Sequence, residues 1–244
     1  MKLIYNKEMR RILILLVVFQ FLGCAELQQV VNQMPQAGTI GNNEIALGLR
    51  EALDMGIQKQ VSKLTQTDGF YKNEMVKIML PQELQKVDKT LRDIGLSNLA
   101  DEGLKILNRA AEDAVKEATP IFVDAVKGIT FADARNILLG SDDAATRYLT
   151  QATQNQLYDK FNPVIKQSFE KVGADKIWSN LINRYNAIPF TSSVNPDLTD
   201  YVTQEALEGV YSMIALEEKE IRTKTASRTS AVLKRVFALQ DQRN

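Results

Sequence analysis

Histidine is absent from the 244 residues, and cysteine occurs once, at Cys24. Together these absences remove His-based triads, cysteine nucleophiles, Cys/His zinc sites and disulfides, each of which needs residues the chain lacks. Carboxylate, hydroxyl, amine and guanidinium chemistry is what remains. Neither charge predominates, with 30 basic against 30 acidic residues. The first 23 residues hold Lys2, Lys7, Arg10 and Arg11 against Glu8, so the remainder carries 26 basic and 29 acidic residues, a net of −3. Phosphate binding needs a concentrated positive patch, and a mildly acidic chain without basic clusters excludes nucleic acid as the expected partner. G-x-S-x-G, a Gly-rich phosphate loop and the D-x-D-x-D-G calcium pattern are all missing. What is present is an ordinary globular balance, 45% hydrophobic and 25% charged, enough for a real core.

The amino terminus departs from that balance. "MKLIYNKEMRR" is basic and "ILILLVVFQFL", residues 12 to 22, is apolar. A membrane-spanning helix needs about 20 apolar residues, so an eleven-residue run fits the h-region of a signal peptide that is removed. The "FLGC" that follows resembles the bacterial lipobox, in which a small residue, here Gly23, precedes the cysteine that receives a diacylglyceryl group. Phe21 and Leu22 stand where that pattern usually has Leu and a small or β-branched residue. The expectation is a signal peptide over 1–23, acylated Cys24 as the first mature residue, and attachment to membrane lipid through its acyl chains. Ala25 and Glu26 follow, and by resemblance to the enteric sorting rule the absence of Asp there points to the periplasmic face of the outer membrane.

Residues 24–43, rich in Gln and Asn with Pro35, Gly38 and Gly41, read as a flexible tether. From Glu44 the spacing of apolar residues becomes helical. Ile45, Leu49, Leu53, Ile57, Val61 and Leu64 recur every three or four residues. A turn is expected at Asp68-Gly69 and a brief extended piece over 76–80, bounded by Pro81. A helix from Pro81 carries Leu84, Val87, Leu91 and Ile94 to Gly95, and Ser97 starts the next. Pro120 opens or kinks a further stretch. Thr130 with Asp133 forms a capping arrangement, Gly140 is a stop, and Ser141 to Asp143 start a helix whose first-turn acids offset its dipole. Pro163 begins another helix that closes at Gly173. A short helix turns Ile177, Trp178, Leu181 and Tyr185 inward, and two long helices occupy Asp200 to about Thr223 and Ser227 to Leu239. The predicted fold is all-α, a single bundle-like multi-helix domain over 44–240.

The ordered blocks "LREALDMGIQKQVSKL", "DGFYKNEMVKIMLPQELQKVDKTLRDIGL", "LNRAAEDAVKEATPIF", "ITFADARNILLGSDDAATRYL" and "DYVTQEALEGVYSMIALEEKEIR" carry a resemblance that covers residues 45 to 238. They resemble the bacterial lipoprotein family called domain of unknown function 4197. The resemblance implies a signal-bearing protein of Gram-negative bacteria and supplies no catalytic residue.

The densest polar cluster is "TFADARNILLGSDDAATRYL". Asp133, Arg135, Asp142, Asp143, Arg147 and Tyr148, with Thr146, gather near one interhelical turn as a candidate polar ligand site, against which stands a reading as caps and surface ion pairs. "EEKEIR" sets Glu218 four before Arg222 on what reads as a solvated face. Aromatics from Phe122 to Tyr211, Phe131 among them, fall at inward positions. No cofactor or metal is expected. The leading expectation is a non-enzymatic binding or scaffold domain whose partner is an unidentified periplasmic protein. A carrier of an apolar ligand or lipid between helices, and a carboxylate-based enzyme, are the alternatives.

Overall fold

The stripe from Ile45 to Leu64 goes inward, and with it α1 (Asn42–Leu64) forms the first helix of the computed structural model. The structure describes residues 40–80, 97–187 and 197–242, with single positions between them. After α1 come α2 (Ser97–Val115), α3 (Ala118–Gly128) and α4 (Phe131–Leu138). They are followed by α5 (Ala144–Val172), α6 (Ala174–Asn186), α7 (Leu198–Thr223), a 3-10 turn over Thr225–Ser227, and α8 (Ala231–Asp241). The chain is all-α, with no strand among the described residues.

The two longest helices organise the rest. α7 packs along α5 and against α1 and α2, while α5 also meets α2, α3 and α4. Phe122, Phe161 and Phe169 are fully buried between them. Phe122 meets Tyr211 edge-on, with ring centroids 5.9 Å apart at 84°, the geometry that the ring quadrupole favours. The Tyr211 hydroxyl is satisfied by Thr153 Oγ1 at 2.8 Å. α8 closes over the first half of α1, where a Cβ on Gly48 would lie 2.6 Å from Val236 Cγ2.

Several helix ends follow the local code. Thr130 and Asp133 make a full capping box at α4, Gly173 ends α5 in the left-handed conformation, and Ser230 caps α8. Pro120 sits in the first turn of α3, where a missing N–H costs nothing.

Others depart from it. α5 runs unbroken through Pro163 as 29 residues. The buried stripe Leu149, Thr153, Leu157, Phe161, Ile165, Phe169 continues across the proline. Pro163 itself is on the exposed face, so water can reach the backbone carbonyl whose helical donor is lost. The 76–80 stretch is not a strand; residues 77–80 are irregular backbone. At the Asp68-Gly69 turn the positive φ belongs to Asp68, at 67°. Gly69 is needed for a different reason, since a Cβ there would lie 2.4 Å from the Leu64 carbonyl oxygen. Phe131 is 51% exposed and not part of the core. As the first residue of α4 its side chain leans past the helix start, beyond what covers Ala134 and Leu138. The helix expected over 81–94 lies largely outside the described residues, as do the side chains of Ile177, Trp178, Leu181 and Tyr185.

Candidate functional site

The polar residues of the α4–α5 turn are placed in three different ways. Asp133 accepts from the Thr130 backbone N–H at 3.1 Å and from its hydroxyl at 2.6 Å. These bonds hold its carboxyl below the usual range, the hydroxyl contributing most. Asp143 accepts from Ser141 Oγ at 2.6 Å and faces Arg147 at 3.5 Å, and it too is lowered, chiefly by Ser141. Asp142 and Arg135 are exposed. Tyr148 is half-buried, its hydroxyl pushed up by burial and then by Asp133. Asp133, Asp142 and Asp143 therefore do not converge on one point. Among the described residues no group of three or more acidic or thiol side chains could hold a metal ion.

The turn is organised from beneath, by Glu218 and Arg222 of α7. They are 8% and 2% exposed, not a solvated pair. Glu218 accepts from the backbone N–H of Ala145 at 2.9 Å and of Thr146 at 2.8 Å, and from Thr146 Oγ1 at 2.7 Å. It thereby supplies the cap of α5 that the N-cap residue Asp143 does not make with its own side chain. Arg222 donates Nη2 to the Ile137 carbonyl at 2.8 Å and Nη1 to the Leu138 carbonyl at 3.0 Å, closing the end of α4. Its Nε donates to Glu218 at 2.9 Å. One ion pair thus terminates one helix and starts the next. Arg228 does the same for α7, donating to the carbonyls of Ile221 and Arg222 at 2.9 and 2.8 Å while Asp241 of α8 pairs with its guanidinium.

A second polar system lies at the far end of α1. Asn108, in the apolar stripe of α2 and fully buried, accepts from the Ile78 N–H at 2.8 Å and donates to the Ile78 carbonyl at 2.9 Å. Its side-chain amide plays the part of a neighbouring strand toward an irregular segment. One turn on, buried Glu112 accepts from the Phe70 N–H at 3.1 Å and pairs with Arg109 at 2.6 Å. Arg109 also pairs with Asp68, which is held below the usual carboxylate range first by Lys72 and further by Arg109. From α7, Gly209 leaves room for the Phe70 ring, Met213 Sδ accepts from Asn73, and the Tyr201 hydroxyl donates to the Met79 carbonyl at 2.6 Å. Residues 65–80 are thus fastened at both edges without regular secondary structure.

What this fastening presents outward is Tyr71, Met75 and Met79. The two methionines are 56% and 46% exposed. Lys77 and Lys105 place their ammonium groups 4.5 and 5.9 Å from the Tyr71 ring centroid. The polar cluster of residues 130–148 did not lead to this surface. The signal that leads there is Asn108 and Glu112, two polar residues in the buried phase of an amphipathic helix.

The cavity among the described core residues is small. A cavity of about 20 Å³ lies between α1, α7 and α8, lined by Leu49, Leu53, Ile214 and Phe237 with Glu218 and Arg222 at its edge. That is the space of a water molecule, far below the several hundred Å³ of a small-molecule pocket.

Among the described residues, eight helices, two of them long and central, with buried ion pairs at helix ends and buried amides at Gln60 and Asn108, define an all-α domain. The family described as "Protein of unknown function (DUF4197)" matches residues 39–238, and the chain belongs to that family. No curated protein and no solved structure matches it.

Proposed function

We propose that the chain is a lipoprotein of a Gram-negative cell, anchored by acylated Cys24 to the periplasmic face of the outer membrane, and that its helical domain works by binding or scaffolding. The anchor is supported by the basic n-region, the eleven-residue apolar run and Gly23-Cys24 in sequence. No described helix is long and apolar enough to cross a membrane. An acylated cysteine would hold the domain at a surface, because each buried methylene contributes about 0.8 kcal/mol and two chains already anchor stably.

The observation that carries the binding reading is the fastening of residues 65–80. Buried Asn108 and Glu112 hold an irregular segment that presents two exposed methionines and a lysine-flanked tyrosine. Loops fixed by a rigid scaffold are where binding residues concentrate, and methionine suits a surface that adapts to a partner. The carrier reading is not favoured by the cavity between α1, α7 and α8, whose 20 Å³ is too small for an apolar ligand.

Fractionation of cells that produce the full chain tests the anchor. The native protein is expected with outer membranes, and Cys24→Ser is expected in the soluble fraction or as an unprocessed precursor. Identical fractionation of the two overturns the anchor.

A further inference from the structure

We propose that α8 is a hinged strap whose seating is coupled to the α4–α5 turn through the buried arginines Arg222 and Arg228. Releasing the last turn of α8 loosens the α4–α5 turn, and loosening that turn releases α8.

The strap is built to move as a unit. Its start is capped from within, Ser230 Oγ accepting from the Leu233 N–H at 3.1 Å, so the helix keeps its first turn without help from the rest of the domain. Residues 224–229 join it to α7 through a 3-10 turn, with Lys224, Thr225, Ala226 and Thr229 exposed. Apolar contact seats it. Leu233, Val236 and Phe237 are buried, and Val236 fits over Gly48 of α1. The cavity of about 20 Å³ lies in this seat beside Phe237, which gives up packing contact there.

Polar contact latches it. Gln240 Oε1 accepts from Arg222 Nη1 at 3.0 Å, and Asp241 accepts from both terminal nitrogens of Arg228, from Nη2 at 2.9 Å. The Arg228 side chain is 3% exposed and that of Asp241 is 49% exposed, so water reaches the latch from the α8 side. Among the described residues Asp241 is the carboxylate that answers Arg228, and the Phe237 ring of α8 has its centroid 5.5 Å from the guanidinium carbon. A buried guanidinium stripped of its counter-charge is costly. Once α8 leaves, Arg228 turns to water and drops the carbonyls of Ile221 and Arg222.

Sequence position passes the loss on. Those carbonyls belong to the last turn of α7, whose acceptors have no partner within the helix. Arg222 stands in the same turn, donating to the carbonyls of Ile137 and Leu138 and to Glu218. As the turn frays, α4 loses its stop, and Glu218 loses the cation that holds it beneath Ala145 and Thr146. The backbone that carries exposed Asp142, Asp143 and Arg147 is thereby tied to α8. A coupling free energy acts equally in both directions.

Hydrogen exchange read by mass spectrometry, on the full-length protein in detergent micelles, tests both directions. Gln240→Ala/Asp241→Asn removes the latch and alters no residue of the α4–α5 turn. Peptides over 231–241 and 219–223 are expected to exchange about tenfold faster, the effect of losing a charge-assisted hydrogen bond. Peptides over 139–147 are expected to quicken with them, while those of α2 keep the parent rate. Asp241→Asn alone, an isosteric change on a side chain half in water, keeps the question open to measurement should the double variant fail to fold. In the reverse direction, Thr146→Val removes one bond to Glu218 and alters no residue of α8. Its peptides over 231–241 are nevertheless expected to exchange about threefold faster. The coupling is overturned if α8 quickens while 139–147 keep the parent rate, if every peptide quickens equally, or if Thr146→Val leaves α8 unchanged.

Discussion

At the scale of single residues, the fold uses buried charge where local sequence offers no cap. Glu218 and Arg222 meet the backbone of Ala145, Thr146, Ile137 and Leu138. Removing one of them strands the other in the core, so Arg222→Ala or Glu218→Ala is expected to cost about 3–5 kcal/mol in urea unfolding, against under 1 for an exposed pair. The double variant is expected to lose less than the sum of the two, because it leaves no unpaired buried charge. Losses below about 1 kcal/mol would place the pair in solvent, as the i,i+4 spacing by itself suggests. Tyr158 supplies a pH dependence of known sign. Its hydroxyl donates to Asp200 at 2.7 Å, and this bond, with burial adding to it, pushes the phenol up to about 12. The folded value is above the ordinary one of about 10, so the stabilisation is fully present below pH 10 and is lost as pH rises through about 12. Absorbance titration of tyrosinate is expected to lose a component ionising near pH 12 in Tyr158→Phe; an unchanged titration contradicts the bond.

At the scale of elements, Asn108 decides the path of residues 70–80. Asn108→Leu deletes both bonds to Ile78 and leaves its backbone N–H and carbonyl buried without partners, a loss of about 2–4 kcal/mol. The amide of Ile78 is expected to exchange with solvent much faster in that variant while amides of α5 and α7 slow or quicken only with global stability. Uniform change across the chain would contradict a local clamp. Gly209→Ala sets a Cβ 2.8 Å from the Phe70 ring, and the overpacking, about 1–3 kcal/mol, is expected to exceed the gain in helix propensity of about 1. Helices that bury one stripe were legible in sequence, α1 from Ile45 to Leu64 most plainly, and so was the capping box at Thr130. Each rests on residues within a few positions of one another. Pro163 was misleading because its cost depends on which face of α5 meets water, and the cap on α5 was hidden because Glu218 comes from 72 residues away. The surface at Met75 and Met79 was equally hidden: a short apolar run reads as a buried strand until Asn108 and Gly209 show which of its residues go in.

At the scale of the whole molecule, the proposed anchor and the helical domain are separate parts. The described helical residues bury ion pairs at helix ends and present the exposed Met75 and Met79 on the segment held by Asn108. In the proposed reading, residues 1–24 carry the address. The most direct measurement is mass spectrometry of the chain extracted from membranes of a Gram-negative cell. The expected result is a mature protein whose first residue is Cys24, its thiol in thioether linkage to a diacylglyceryl group; a chain that still begins at Met1, or one with Cys24 as a free thiol, would contradict a lipid-anchored binding domain.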